Sequence, residues 1–421
     1  MRSAPKIFSL DPTWWELFLQ AAILLAFSRL LLRRWPAARD WVFAATQLAV
    51  LLWVRAIDKK TLLGLVLPLL LAVFLLGKLL ARHTGPARSR ALLAVSIALP
   101  LTVLVVTKYS DASALFRGLT AWAVDLRPAP VIGLSYLAFK AVSFLVDVSS
   151  GKTTEPRLSS FLGYMLFFPT YLSGPIDRYG RFRRDLEAPP RLTWTEGLEA
   201  GWRIVIGYFK KTVMASAVAP FAISSFSLEQ LAEASPGTLW LSLYAFAFLI
   251  YWDFSGYSDI AVGTGRLVGV MVPENFRSPY TKRNIIEFWN AWHITLSHWL
   301  RDYLFMPTGK ALIKRWRRVP PLAVASTSYV ITFALAGLWH GDGLNFLLWG
   351  AYMGLGLSAC KAWGELTRRF PPGYHRFMFE TRAGRALATV VTFHFLLAGW
   401  ILFTNDLGRA TRVVAGLVGM R

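Results

Sequence analysis

Apolar stretches close to the length that crosses a hydrocarbon core, about 20 residues, recur along the whole chain. Segments 61–76, 91–107, 236–252, 320–339, 344–360 and 386–404 are uninterrupted cases. Segments 14–32, 41–54, 131–146, 202–224 and 259–272 have the same character with polar residues inside them. Together they predict roughly ten or eleven membrane-crossing helices by the hydropathy rule. Alternation of period two is not sustained anywhere, which argues against a transmembrane barrel. The expected fold is therefore all-α: a single polytopic helical membrane domain over 1–421. The apolar run that follows MRSAPKIFSLDPTWWELF lacks a small-residue cleavage pattern and reads as a retained first span.

Composition agrees with this reading, because the chain is 55% hydrophobic with a mean hydropathy of +0.44. Its net charge of +22 would suggest a nucleic-acid partner in a soluble protein. Here the cations gather in short connectors: Arg33 with Arg34, 82–90, 178–184, 310–318, and Arg368 with Arg369. Short basic loops follow the positive-inside rule and bind anionic head groups. No basic fold with interleaved aromatic residues lies outside the spans, so nucleic acid is not an expected partner. The connectors at 33–39 and 82–90 favour the inside, which places the N-terminus outside. The one cysteine, Cys360, lies in an apolar run, so neither a disulfide framework nor a cysteine metal site is expected.

The chain divides by texture into three parts. Residues 1–130 are largely Leu-rich and read as peripheral N-terminal helices. Residues 131–354 carry Trp, Tyr, Gly, Pro and charges inside or beside apolar stretches, and read as a catalytic core. Residues 355–421 read as a C-terminal helix with a basic tail. Gly and Pro at membrane depth predict broken or re-entrant segments, tolerated only where backbone is buried in protein or lines a cavity.

Four blocks in and around the core carry chemistry. In GLWHGDGLNFLLWG, 337–350, His340 is bracketed by glycine and apolar runs and followed by Asp342. A polar ring at that depth is costly unless it is paired or faces water. In IIEFWNAWHITLSHWLRDYLF, 285–305, the spacing predicts a continuous amphipathic helix at the interface. It would place Trp289, His293 and Ser297 on one face and Arg301 further along, with Asn290 beside Glu287; a plain solvated surface helix is the alternative. In FFPTYLSGPIDRYGRFRRD, 167–185, Pro169, Gly174 and Pro175 predict a half-crossing segment ending in a basic loop. Asp177 with Arg178, and the following arginines, would hold an anion or simply pair internally. In VIGLSYLAFKAVSFLVDVSSG, 131–151, Lys140 and Asp147 share a face and should both point into the bundle, because a charge at the bilayer centre costs about 2.5–3.5 kcal/mol on insertion scales. His293 and His298, five residues apart, do not share a helical face, so no metal is expected. His394, in the last span, is expected to hydrogen-bond a neighbouring helix.

Taken together, FWNAWHITLSHWLRDY, GLWHG and SGPIDRY resemble the membrane-bound O-acyltransferase (MBOAT) family, over about 131–354 with a weaker extension to 404. FFPTYLSGPIDRYGRF and VVTFHF look like its teichoic-acid D-alanyl-transfer branch. SYLAFKAVSFLVDV, WDFSGYSD and YLFMPTG look more like its alginate O-acetyltransferase branch. The resemblance implies a ring of about eleven helices around a thinned centre with a tunnel, in a bacterial cytoplasmic membrane. It implies no bound cofactor, but an acyl donor: a phosphopantetheine thioester on a cytoplasmic acyl carrier protein, or acetyl-CoA. The acceptor would be a cell-envelope polymer or an acceptor-side protein. His340 matches the histidine usually taken as catalytic, and His293 the second histidine of the site.

Transfer from a thioester to a hydroxyl needs a base for the hydroxyl proton and donors for the developing oxyanion. His340 is the expected general base, kept neutral by burial. His293 is expected to orient the donor or to polarise its carbonyl. Lys140, Asp177, Arg178, Trp289, Asn290, Ser297, Arg301, Trp339 and Asp342 are further candidates for binding the substrate or the acyl donor. A transporter or flippase is the competing class, since polar groups and broken helices at membrane depth also suit transport. Such transporters show repeated halves, and this chain shows none.

Overall fold

The computed structural model describes residues 38–54, 57–82, 86–109, 133–153, 155–316 and 318–420. The described residues contain helices and turns but no strand. In chain order the helices are α1 (Arg39–Trp53), α2 (Lys59–Arg82), α3 (Pro86–Tyr109), α4 (Leu134–Ser149), α5 (Leu158–Met165) and α6 (Tyr179–Glu187). They continue with α7 (Trp194–Phe221), α8 (Leu228–Glu233), α9 (Pro236–Val268), α10 (Ile285–Trp289), α11 (Ile294–Leu300) and α12 (Met306–Arg315). The last are α13 (Pro321–His340), α14 (Leu344–Thr367), α15 (Arg382–Thr404) and α16 (Leu407–Leu417), with single helical turns between some of them.

Among the described residues, six stretches are long and apolar enough to cross a membrane: α2, Ser89–Lys108, α7, α9, α13 and α15. The expected spans at 41–54 and 131–146 form helices of 15 and 16 residues. The one expected at 14–32 lies outside the described residues. The expected span 236–252 and most of the expected span 259–272 are instead parts of the single 33-residue helix α9, which ends at Val268. The FSGYS segment does not interrupt it. The flanking carboxylates each meet a cation, Asp253 with Lys211 and Asp259 with Arg203 at 3.0 Å, so neither has to leave the helix to find water.

The chain forms two compact units. The first comprises residues 10–207 and 257–273, described from residue 38 onward. Its centre is α4, in which Tyr136 to Leu145, Asp147 and Val148 are buried, with only Val146 in that stretch half-buried. A helix apolar nearly all round belongs inside a bundle. Gly77 of α2 lets that helix close on α4, since a Cβ there would lie 2.5 Å from the Phe144 ring. Phe144 packs against Phe161 at 4.7 Å and edge-on to Tyr179 at 5.2 Å. The opposite side of α2 exposes Leu63, Leu71, Leu75 and Leu79, a face suited to lipid.

The second unit comprises residues 1–9, 208–256 and 274–421, described from residue 208 onward. Helices α13 and α14 run against each other at backbone distance. A Cβ on Gly337 would meet the Phe346 carbonyl oxygen at 2.1 Å, and one on Gly354 would meet the Val330 Cα at 2.7 Å. Small residues that let backbones approach are how helices associate where lipid removes the hydrophobic drive. Tryptophans fill the rest of the core, with Trp289, Trp292, Trp349 and Trp400 buried in one cluster with Phe288, Phe333 and Phe403.

Candidate functional site

Both histidines singled out from the sequence lie in the second unit. His340 is the last residue of α13, where the chain turns through extended Gly341 before α14 begins at Leu344. The glycines around it are required by packing, since a Cβ on Gly341 would sit 2.1 Å from the Phe346 ring. The His340 ring is half-buried in a cage of Trp339 at 4.5 Å, Phe403 at 5.1 Å and Trp349 at 5.2 Å. His340, expected to be kept neutral by burial, is thus half-buried at the end of its helix. Asp342 is exposed.

His293 is the deeply buried one, at 4% exposure. The expected continuous helix over 285–305 is broken there. Helix α10 stops at Trp289, the chain turns through Asn290–Trp292, and α11 starts at Ile294. Trp289 and His293 are thus not successive turns of one helix. The cause is tertiary. His293 adopts the left-handed conformation, φ 42° and ψ 51°, which is costly for a residue with a Cβ. Asn275 holds it there: its carbonyl oxygen accepts from the Ile294 N–H at 2.9 Å. Its Oδ1 meets the Thr295 N–H at 3.2 Å, the Thr295 hydroxyl at 2.9 Å and His293 Nδ1 at 3.2 Å. The ring of Phe254 stands edge-on to His293 at 4.6 Å. Burial lowers the His293 pKa from the ordinary 6.5 to about 3, so the imidazole is neutral.

A continuous set of ring contacts joins the two imidazoles. It runs from His293 through Phe254, Phe276, Trp292, Trp400 and Trp349 to His340. Trp289 packs edge-on to Trp349 at 6.2 Å. The indole N–H groups of Trp289 and Trp349 are buried and have no hydrogen-bond acceptor among the described residues, so both are available as donors. The other candidates on this unit are peripheral. Asn290 is exposed, Ser297 donates to the Trp292 carbonyl at 3.2 Å, and exposed Arg301 pairs with Asp302 at 2.9 Å.

Lys140, Asp177 and Arg178 belong to the first unit. Lys140 is buried and donates to the Tyr164 carbonyl at 3.1 Å and the Thr170 hydroxyl at 3.0 Å. As expected, it points into the bundle without needing Asp147, which pairs with Lys152 at 3.8 Å. Asp177 is buried and makes the internal pair that the sequence allowed, with Arg181. Its Oδ1 accepts from Arg181 Nε at 2.8 Å and from the Arg178 backbone N–H at 2.6 Å. Arg178 precedes α6, whereas Arg181, one turn into that helix, faces back toward the aspartate. Tyr257 donates to the Pro169 carbonyl at 3.0 Å and secures the proline-broken segment. No group of three or more His, Cys, Asp or Glu residues is arranged to hold a metal among the described residues.

One contributor to the site, Asn275, is not apparent from the sequence, and neither is the buried pairing of Lys211 with Asp253 elsewhere in the unit. Asn275 reads as part of a turn, and Lys211 as a polar residue inside the expected span 202–224. His394 does what its place in the last span predicts, meeting the Tyr244 hydroxyl at 2.8 Å.

Residues 117–378 match the model of the MBOAT, membrane-bound O-acyltransferase family. The chain is 33% identical over 276 residues to a probable alginate O-acetylase of Pseudomonas syringae pv. tomato, covering 65% of this chain and 49% of that protein. It is 32% identical over 280 residues to a teichoic acid D-alanyltransferase of Bacillus subtilis, covering 65% of this chain and 68% of that protein. A peptidoglycan O-acetyltransferase of Helicobacter pylori is 34% identical over 275 residues, 62% of this chain and 48% of that protein. The chain thus spans about half the length of the alginate and peptidoglycan relatives it matches. Its broken segment at 290–293, its histidine at the α13 terminus and the apolar helices α7, α9 and α13 fall within the matched region, and the chain belongs to the membrane-bound O-acyltransferase family.

Proposed function

We propose that this protein transfers an acyl group from a thioester to a hydroxyl of a cell-envelope polymer, at a bacterial cytoplasmic membrane. The observation that carries the reading is the placement of His293 and His340 in one aromatic cluster of one unit. His340 is the general base. It takes the proton of the acceptor hydroxyl as that oxygen attacks the thioester carbonyl. The tetrahedral oxyanion needs donors, and the buried N–H groups of Trp289 and Trp349 are suited to supply them. Collapse breaks the C–S bond, and the departing thiolate takes the proton from the imidazolium. His293 is the second participant, oriented by Asn275.

The acyl group we favour is D-alanyl, delivered as a phosphopantetheine thioester on a cytoplasmic carrier protein. Support comes from the 32% identity over 280 residues to the teichoic acid D-alanyltransferase relative, and from FFPTYLSGPIDRYGRF and VVTFHF, which resemble that branch. Acetyl transfer to an exported polysaccharide is the second reading, supported by the identities to alginate and peptidoglycan O-acetylating relatives.

The test uses proteoliposomes supplied with D-alanyl thioester on a carrier protein, or with acetyl-CoA, for wild type and His340→Ala in parallel. D-alanyl release that depends on His340 supports the first reading, and acetyl release that depends on it supports the second. Substrate movement without consumption of either thioester would replace acyl transfer with transport.

A further inference from the structure

The hydrogen bonds around Asn275 determine more than the shape of a turn. A backbone N–H can only donate. Because the Thr295 N–H points at the side-chain atom of Asn275 at 3.2 Å, that atom must be the amide oxygen and not the amide nitrogen. The same oxygen is 2.9 Å from the Thr295 hydroxyl and 3.2 Å from His293 Nδ1. An amide oxygen can only accept, so Nδ1 must carry a proton. In a neutral imidazole the lone pair is then on Nε2. One main-chain N–H thus fixes the side-chain amide, and the amide fixes the ring.

Asn275, His293 and Thr295 are 1%, 4% and 5% exposed, so water does not compete for these bonds. The main chain reinforces them, with Ile294 N–H donating to the Asn275 carbonyl at 2.9 Å and Arg277 N–H to the Ala291 carbonyl at 2.9 Å. The left-handed backbone at His293 is held by this clamp, a strain of the kind that collects at functional sites.

We propose that Asn275 is a positioning residue that locks His293 in the Nδ1–H tautomer, so that His293 serves acyl transfer as a hydrogen-bond and proton acceptor through Nε2. The inference rests on the acyl-transfer reading above. Of the two roles expected for His293, it favours orienting a substrate over polarising the thioester carbonyl, because Nε2 in this tautomer has no proton to donate. The substrate group that it suits is an O–H or N–H, such as the acceptor hydroxyl or an amide of a pantetheine arm.

The first test needs no variant of the clamp. In ¹⁵N-histidine-labelled wild-type protein, the His293 signals are assigned by their loss in His293→Gln. Nδ1 should appear as the protonated nitrogen and Nε2 as the unprotonated one; the reverse assignment, or a doubly protonated ring, overturns the proposal. The second test is kinetic. Asn275→Ala should lower kcat by about 10–100-fold with KM little changed, the range seen when a partner that orients a metal-bound imidazole is lost. Asn275→Asp restores an acceptor for Nδ1–H and should recover much of the rate. Its added charge stabilises the imidazolium, so the acid limb of the kcat/KM profile should move to higher pH. An unchanged kcat in folded Asn275→Ala, or an unmoved profile in active Asn275→Asp, overturns the proposal. If wild type consumes neither thioester, the acyl-transfer reading fails, while the tautomer measurement stands by itself.

Discussion

Gly350 lies so close to Phe333 on the neighbouring helix that an added Cβ would be 2.1 Å from the Phe333 carbonyl oxygen. Backbone cannot move aside as a flexible side chain can. Gly350→Ala should therefore destabilise the protein by at least the overpacking range, about 1–3 kcal/mol. It should also disturb the end of α13 that presents His340. Gly364, on the same helix α14, has open space at its Cβ position. Gly364→Ala should be neutral or slightly stabilising, by up to about 1 kcal/mol. Thermal unfolding in detergent compares the two, and equal midpoints would show that the close approach is not what the glycine is for.

Lys211 and Asp253 form a buried ion pair within the second unit, with Lys211 in a π-turn of α7. Removing one partner leaves the other charge buried and alone, at a cost of about 3–5 kcal/mol. Lys211→Met should cost that much. The double replacement Lys211→Met with Asp253→Leu should recover most of it, because well-packed apolar residues often replace such a pair at little cost. A double variant as unstable as the single one would mean that the pair does more than neutralise itself.

His340→Ala should lower thioester consumption by about 10²–10⁴-fold, the usual contribution of a positioned acid–base group. The ring is half-buried at a helix end, so its loss leaves no sealed cavity. The variant should elute and melt like wild type. Turnover within threefold of wild type would move the base elsewhere, with His293 the next to replace.

The buried His293 ring makes stability depend on pH. Its pKa falls from 6.5 in the unfolded chain to about 3 in the fold. Between those values the unfolded chain binds a proton that the folded chain excludes. This contribution to stability is complete above about pH 6.5 and is lost as pH falls toward 3. Wild type should lose more of its melting temperature between pH 7 and pH 4.5 than His293→Gln does; parallel losses would place the acid sensitivity in other groups.

Most of the helical architecture can be read from the sequence, because uncharged runs near membrane length have few other fates. The break at Asn290–His293 cannot. The segment IIEFWNAWHITLSHWLRDYLF contains neither Gly nor Pro, and its local pattern is that of an uninterrupted helix. What stops it is Asn275, eighteen residues upstream, whose bonds exist only once the chain has folded. The pairing of Lys211 with Asp253, forty-two residues apart, is hidden for the same reason. The histidines themselves were legible, because an imidazole inside an apolar run is conspicuous whatever surrounds it. That Asp177 can pair internally is legible in the arginines that follow it, and helix geometry selects Arg181 among them.

Lys140 imposes an order on biogenesis. Its two acceptors, the Tyr164 carbonyl and the Thr170 hydroxyl, lie 24 and 30 residues further along the chain. Alone in a bilayer, a lysine at the middle of an apolar helix costs about 2.5–3.5 kcal/mol on insertion scales. With translation at about 5–20 residues per second, the groups that satisfy it emerge roughly 1–6 seconds after it does. During that interval α4 has a reason to remain beside the insertion machinery and not to partition into lipid by itself. The helix that ends as the centre of its unit is therefore one whose release must wait for the segment that follows it.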